Sequence, residues 1–255
     1  MNLDVRKHSI QIFFVIFAAF IIQLYEPNFL PLPSEILETS IQQIKIETVR
    51  QNAIQTAGRV YISSIAALII GTIIGVANYF NSTVSTITNT IFYPTQFISE
   101  AVLAILAIAI LGLNPAIIYL ITILAIAPDV FIATQIGLKN MDKKILELGK
   151  IYGDNQYLNF KHLVIPQVIP YVFTGLIRAH ASAWDIVATV EVFLALNGLG
   201  YLVQNEFRLL NLPNLFALVM IIIAVGLLSD RVLRIIKTRI DRRYLSDNDT
   251  NQKLL

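Results

Sequence analysis

Six apolar runs, most of them close to twenty residues long, constrain this chain more than any other feature of its sequence. Crossing the ~30 Å hydrocarbon core of a bilayer takes roughly 20 apolar residues in a helix, and a helix satisfies its backbone polar groups internally. We therefore predict an all-α integral membrane protein with six transmembrane helices. The predicted spans are residues 9–24, 57–80, 91–111, 115–135, 171–196 and 215–233.

The first of these runs also fits a signal peptide, because it is short and follows Arg6 and Lys7. No small-x-small cleavage site follows it, only the bulky LYEPNFLPLP. We favour an uncleaved span.

Composition supports a membrane protein and disfavours a metal or nucleotide site. The chain is 56% hydrophobic and only 14% charged, with a mean hydropathy of +0.67, which is too apolar for a soluble surface. It has no cysteine, and its three histidines lack the spacing of metal ligands. It also lacks the Gly-x-x-x-x-Gly-Lys-Ser/Thr phosphate loop. We therefore expect no cofactor, no metal and no ATP hydrolysis by this chain.

Basic residues predict the orientation. Fourteen of the nineteen Lys and Arg residues lie in segments or at span ends on the side of the N-terminus, four lie on the other side, including Arg59 at the outer end of the second span, and Arg178 lies within a span. Cytoplasmic segments of membrane proteins carry the excess of Lys and Arg. Both termini are therefore predicted to be cytoplasmic.

The chain divides into three parts of one transmembrane domain, 1–255. Residues 1–56 hold the first span and an external segment, 57–236 the core, and 237–255 a polar cytoplasmic tail, which we expect to fray from Arg242 onwards. Within the external segment, apolar residues at helical spacing predict an amphipathic helix on the outer face. They are Leu37, Ile41 and Ile44. A solvated connector remains the alternative for residues 34–56.

A polar stretch separates the fourth and fifth predicted spans. Asp142 suits the start of one short helix, and Gly153 suits the left-handed position after its end. The apolar side of that helix consists of Ile145, Leu148 and Tyr152. The apolar edge of a second short helix, which ends before Pro166 and Pro170, consists of Tyr157, Phe160 and Val164. The stretch therefore predicts a helix, a glycine corner and a helix in the cytoplasm.

The spacing of this stretch resembles the cytoplasmic EAA loop of the membrane subunits of ATP-binding-cassette (ABC) importers. A glutamate, a glycine and an aliphatic-x-aliphatic-Pro run define the pattern, which is met by Glu147, Gly153, Leu163, Ile165 and Pro166. Leu148 and Gly149 stand where alanines are usual. The runs SAWDIVATVEVFLALNGLGYLVQN and LPLPSEIL resemble the nitrate, sulfonate and taurine branch of the family.

This resemblance implies a permease subunit of the inner membrane that carries a small solute, such as the anions sulfonate, taurine or nitrate. The implied partners are separate ABC ATPase subunits, a second permease copy and an external substrate-binding protein. A homodimer is favoured, and a heterodimer remains open. The residues implied to couple to the ATPase are Glu147, Leu148, Gly149, Tyr152, Gly153, Leu163, Ile165 and Pro166. Two alternatives remain: Glu147 pairs with a lysine of its own helix, and Gly153 is an ordinary helix stop.

Charges inside predicted spans are costly in lipid and indicate functional or paired residues. The other such residues are Glu100, Asp129 and His180, and for Glu100 and Asp129 structural pairing is an equal alternative. In the fifth span, Arg178 and Asp185 are seven residues apart on one face, whereas Glu191 is turned away by about 140°. We expect Arg178, Asp185 and Glu191 to line or gate a translocation path, with Glu191 near the outer end. A structural ion pair remote from the path is the alternative.

Two other functions fit an all-α membrane protein. An ion-coupled secondary carrier is disfavoured because the sequence shows no internal repeat and has the long specific loop. A membrane anchor without transport is disfavoured by the charges inside the spans.

Overall fold

A computed structural model describes residues 31–95, 97–112, 114–141, 158 and 160–252, and every regular element in those ranges is a helix. The helices are α1 (Pro33–Lys45), α2 (Glu47–Phe80), α3 (Ser82–Thr95), α4 (Glu100–Leu111), α5 (Ala116–Lys139), α6 (Ile165–Leu194), α7 (Leu199–Arg208) and α8 (Leu212–Gln252). A π-helical turn, Phe160–Val164, leads directly into α6.

Four helices in the described ranges are long and apolar enough to cross a membrane. They are Glu47–Phe80, Ala116–Lys139, Phe160–Leu194 and Leu212–Arg242. They coincide with the second, fourth, fifth and sixth predicted spans, so the all-α membrane fold is confirmed. The predicted first span, 9–24, lies outside the described residues.

The prediction of one continuous third span over 91–111 is wrong. Helix α3 ends at Thr95, and α4 begins at Glu100 after a turn and an extended Ser99. Pro94 lacks a backbone N–H and clashes with the preceding turn of a helix, so a straight helix through this point is disfavoured. The apolar remainder, Ala101–Leu111, is about 16 Å long, which is shorter than the ~30 Å hydrocarbon core, so a third crossing of the membrane stays a prediction.

The core consists of α2, α5 and α6. Its fully buried side chains include Val60, Ile118, Ile126, Val130 and Val187. Glycines bring these helices together. A Cβ atom on Gly71 would lie 2.8 Å from the Ala127 carbonyl oxygen, and one on Gly75 would lie 2.8 Å from Cβ of Thr134. Small residues four apart let helix backbones approach closely inside a membrane.

A second apolar cluster joins the start of α2 to α7 and α8. It contains Val49, Leu199, Leu218 and Ile221. Helix α1 packs along α8, where Gln43 donates a 3.0 Å hydrogen bond to Asn214.

The sequence left a helix or a solvated connector open for residues 34–56. Helix α1 confirms the helix for residues 34–45. Its apolar residues Leu37, Ile41 and Ile44 are exposed, so this side faces away from the protein. The position of α1 on the outer face stays a prediction.

Two prolines do not end a helix as the sequence predicted. Pro166 stands in the first turn of α6, and Pro170 lies inside α6 and is buried. The first turn tolerates proline because its N–H groups have no intrahelical partner. The fifth span therefore starts at Ile165 rather than at residue 171.

Helix α8 continues to Gln252, into the predicted polar tail, and fraying of this tail stays a prediction. Two ion pairs at i,i+4 spacing support the helix beyond its apolar part, Arg234 with Asp230 and Lys237 with Asp241. No glycine or proline interrupts residues 227–252. The helix therefore persists without apolar periodicity.

Candidate functional site

One face of α6 is polar and lies on the surface of the protomer. Thr174, Arg178, Ala181 and Asp185 are exposed and recur at intervals of four, three and four residues. This spacing places them in one stripe on a helix. We call these four residues the α6 stripe.

The surface of α2 has the opposite character. Its exposed side chains include Ile62, Ile65, Ile69 and Ile73, which are one face of large apolar residues. Such a face suits contact with lipid, whereas the α6 stripe needs water or another protein surface.

Arg178 reaches across to α5. Its Nε lies 3.2 Å from Oδ1 of Asp129, and its side chain is 79% exposed. Gly175 makes this reach possible, because a Cβ there would lie 2.6 Å from Cβ of Ala133 and 3.1 Å from the Asp129 carbonyl oxygen. The ion pair therefore forms where α5 and α6 approach most closely.

Asp185 is the second charge of the α6 stripe. It is exposed, and it has no ion-pair partner in the part of the chain that the structure describes. Arg178 and Asp185 thus share a face, as predicted, and the face lies on the protomer surface rather than inside the helix bundle. Their role in a translocation path stays a prediction.

Glu191 lies elsewhere, in a polar cluster with Arg59 of α2, and its own side chain is fully buried. Its Oε1 accepts a 2.5 Å bond from Nη1 of Arg59, and its Oε2 accepts a 3.0 Å bond from the Gly200 backbone. Thr56 Oγ1 lies within 3.0 Å of both carboxylate oxygens. Arg59 also donates to the backbone and side-chain oxygens of Asn197. The buried Glu191 carboxylate is tolerated because Arg59 balances its charge and the Gly200 backbone and Thr56 hydroxyl contact its oxygens.

This cluster fixes the loop between α6 and α7. Gly198 donates its backbone N–H to the Asn52 side chain, and Leu199 donates its own to Thr56 Oγ1 at 2.8 Å. Gly198 has φ +110°, and a Cβ there would collide with the Glu191 carboxylate. Only glycine fits such a position. The buried Glu191 carboxylate therefore requires glycine at position 198, the first glycine of the Gly-x-Gly run in NGLGYL.

The count of Lys and Arg residues did not identify Arg59 as a buried site residue, because it assigned Arg59 to the outer side of the membrane. A signal was present: Asn52, Thr56, Arg59 and Ser63 recur at helical spacing on one face. Glu191 meets another helix, as expected, but it has no exposed surface. It does not share the face of Arg178 and Asp185, and its role in the path stays a prediction.

A second buried cluster surrounds His180. Its Nδ1 lies 3.0 Å from Ser64 Oγ, and its Nε2 lies 2.6 Å from Ser229 Oγ. Trp184 donates to Nε2 at 3.3 Å, and Ser229 donates to the Tyr61 hydroxyl. These contacts link α2, α6 and α8. Among the described residues no group of three or more His, Cys, Asp or Glu side chains is placed to hold a metal ion.

Trp184 also packs against α8. A Cβ on Gly226 would be 3.6 Å from the indole ring, which is van der Waals contact.

Most of the predicted coupling residues, Glu147, Leu148, Gly149, Tyr152 and Gly153, lie outside the described residues. The remaining three lie at the start of α6: Leu163 is half-buried in the π-helical turn, Ile165 is exposed, and Pro166 is in the first turn. An apolar groove of about 490 Å³ opens beside them. Its lining includes Thr72 and Val76 of α2, Leu138 of α5, and Phe160 and Ile165.

Comparison with protein families gives a match over most of the chain. Residues 67–243 match the family described as binding-protein-dependent transport system inner membrane component. The matched region contains α6 with its stripe, the last 14 residues of α2 and most of α8.

Individual relatives are more distant. A probable ABC transporter permease protein of Brucella melitensis is 28% identical over 129 residues, which are 51% of this chain and 52% of that protein. The chain thus spans about half the length of that relative. The taurine transport system permease protein TauC of Escherichia coli is 23% identical over 86% of this chain and 82% of its own length. A bicarbonate transport system permease protein of Synechocystis is 30% identical over 51% of this chain and 48% of its own length.

Solved structures show the same fold. A chain of the MetNI methionine ABC transporter, in an inward-facing conformation, has a TM-score of 0.62 at 15% identity, covering 77% of this chain and 96% of its own. A chain of an amino acid ABC transporter has a TM-score of 0.61 at 16% identity, covering 77% of this chain and 94% of its own.

Proposed function

The chain belongs to the family of binding-protein-dependent transport system inner membrane components, and we propose that it is the membrane-spanning permease subunit of an ATP-driven ABC importer. Two copies, with a homodimer favoured, would enclose the translocation path. An external substrate-binding protein would deliver the solute. Both termini would lie in the cytoplasm.

The α6 stripe is the observation that carries this proposal. Each charged side chain held against lipid would cost at least ~2.5 kcal/mol. Arg178 and Asp185 are nevertheless exposed on the surface of a membrane helix, while the exposed face of α2 is apolar. We infer that the stripe faces a water-filled path between two permease copies.

The proposed partner on the cytoplasmic side is a separate ABC ATPase. The chain contains no phosphate loop of its own. We propose that Glu147, Leu148, Gly149, Tyr152 and Gly153 form the docking loop. Leu163, Ile165 and Pro166 would connect this loop to α6, so that movement of the loop is transmitted to the helix that bears the stripe.

The proposed solute is small and carried in ionised form. Relatives named for taurine and bicarbonate transport support this class. In the stripe, the Arg178 guanidinium pairs with Asp129 through Nε at 3.2 Å and is 79% exposed. We propose that its other N–H groups, which have no ion-pair partner among the described residues, bind an anionic group such as sulfonate or carboxylate. Glu191 would act from a distance, by holding the outer end of α6 in place.

The test is co-purification with reconstitution. An affinity tag on this chain should retain the ABC ATPase encoded beside it, and proteoliposomes of the complex should take up solute only with ATP and the binding protein. The lone chain should hydrolyse no ATP. Uptake driven by an ion gradient without the ATPase would instead support a secondary carrier, and absence of both uptake and ATPase retention would support an anchor.

A further inference from the structure

Helix α8 changes character abruptly after Leu228. Residues 215–228 carry no charged side chain, whereas Asp230, Arg231, Arg234 and Lys237 follow within nine residues. From Leu212 to Arg231 the helix rises about 29 Å, which matches the ~30 Å hydrocarbon core of a bilayer. A bilayer whose hydrocarbon core begins at Leu212 would place the first arginine at the level where lipid headgroups begin.

A groove crosses this boundary on the outward side of α8. It has a volume of about 490 Å³. Its lining is half apolar and half charged: Ala224, Leu227, Leu228, Asp230, Arg231 and Arg234. Leu227 and Leu228 are 65% and 67% exposed, whereas Leu218 and Ile221 face the protein and are buried. The apolar half lies at membrane depth and the charged half at the boundary.

The two arginines of the groove are placed to share one ligand. Residues at i and i+3 on a helix have Cβ atoms about 5–6 Å apart. Arg234 donates from Nε to Oδ2 of Asp230 at 2.5 Å, which orients its guanidinium. Arg231 is exposed and has no ion-pair partner in the described ranges. Guanidinium groups bind phosphate through paired N–H donors.

From this geometry we propose that the groove is a binding site for an anionic phospholipid. The acyl chain lies along Ala224, Leu227 and Leu228, and the phosphate accepts hydrogen bonds from Arg231 and Arg234. A net negative headgroup is favoured because the arginines outnumber the one aspartate, and basic residues next to a membrane helix attract anionic lipid. The site is separate from the α6 stripe and does not depend on what the protein transports.

Native mass spectrometry of the full chain in detergent tests this site. The purified protein is mixed with equimolar phosphatidylglycerol and phosphatidylcholine of the same chain length. Wild type should retain phosphatidylglycerol about tenfold in excess, and Arg231→Gln with Arg234→Gln should lower that retention about tenfold. A matched double variant, Arg208→Gln with Arg239→Gln, removes the same charge from exposed sites elsewhere and should leave retention unchanged.

Equal loss of phosphatidylglycerol retention in both double variants would show a diffuse charge effect and overturn the site. Unchanged retention in both double variants would also overturn it. Cysteine at Leu227 tests the other possible occupant, because the natural chain has no cysteine. Under oxidation in membranes, Leu227→Cys should stay monomeric on a denaturing gel. A disulfide-linked dimer would show that a second copy of the chain covers the groove, and would also overturn the proposal.

Discussion

The guanidinium of Arg59 and the carboxylate of Glu191 form a buried ion pair between residues 132 positions apart, with Nη1 and Oε1 at 2.5 Å. Their side chains are 8% and 0% exposed. The pair ties α2 to α6 and holds the loop that starts α7. One buried contact therefore fixes the relative position of three helices.

Removing one partner of this pair should destabilise the protein strongly. Arg59→Met leaves the Glu191 carboxylate buried without its cation, a change that costs about 3–5 kcal/mol in comparable cases. The expected result is a clear fall in Tm in detergent, measured by a thermal-shift assay on the purified chain. The control is Arg50→Met, which breaks the exposed pair with Glu47 and should leave Tm nearly unchanged.

The double variant Arg59→Met with Glu191→Met separates pairing from simple truncation. It leaves no unpaired charge, so it should be more stable than Arg59→Met alone. A Tm lower than that of both single variants would mean that each residue acts independently.

The glycines between α2 and α5 make a second prediction. Gly71→Ala and Gly75→Ala each place a methyl group within about 2.8 Å of α5 and should cost about 1–3 kcal/mol through overpacking. Gly58→Ala is the matched control on the same helix, because nothing lies within 4 Å of its added Cβ. Chemical denaturation in detergent should rank Gly58→Ala above the other two in stability. Equal changes at all three would contradict overpacking, because helix propensity alone favours alanine over glycine at every helical position.

Much of the fold was readable from hydropathy. The four long apolar runs became membrane-length helices because lipid leaves the backbone no other way to satisfy its polar groups. Hydropathy alone did not detect the break after Thr95, since the flanking residues remain apolar. It also missed the helix beyond residue 236, where i,i+4 ion pairs rather than apolar contacts support α8.

The candidate site was readable only in part. Periodicity placed Arg178 and Asp185 on one face correctly, because both belong to one regular helix. The partners Asp129 and Arg59 come from other helices, 49 and 132 residues away from the charges that they meet. Such long-range pairs depend on tertiary packing, which local sequence patterns do not encode.

Gly153 supplies a prediction for the proposed docking loop. Gly153→Val puts a β-branched side chain at a corner that we expect to need positive φ. The variant should insert normally but retain less ATPase in pull-downs and lose ATP-driven uptake. Gly112→Val is the control, because Gly112 also has positive φ but stands at the end of α4, outside the proposed docking loop. If both variants retain the ATPase equally, the corner is only a helix stop.

Orientation can be checked with topology reporters. The distribution of Lys and Arg predicts that fusions at Lys143 and Leu255 report a cytoplasmic position and that one at Asn205, in α7, reports an external position. Alkaline phosphatase and green fluorescent protein fusions give opposite signals on the two sides. An external C-terminus would require an odd number of spans.

The most direct measurement of the central claim is thiol labelling at Ala181 in the α6 stripe. The natural chain has no cysteine, so Ala181→Cys carries a unique thiol, and the charges at Arg178 and Asp185 remain. Ile69→Cys is the lipid-facing control, since Ile69 is 54% exposed on the apolar face of α2. In the reconstituted complex, Ala181→Cys should react with a membrane-impermeant thiol reagent at a rate that changes between nucleotide-free and ATP-bound states, and Ile69→Cys should not react. An inserted Ala181→Cys that stays unreactive in every nucleotide state would show that the stripe does not line the path.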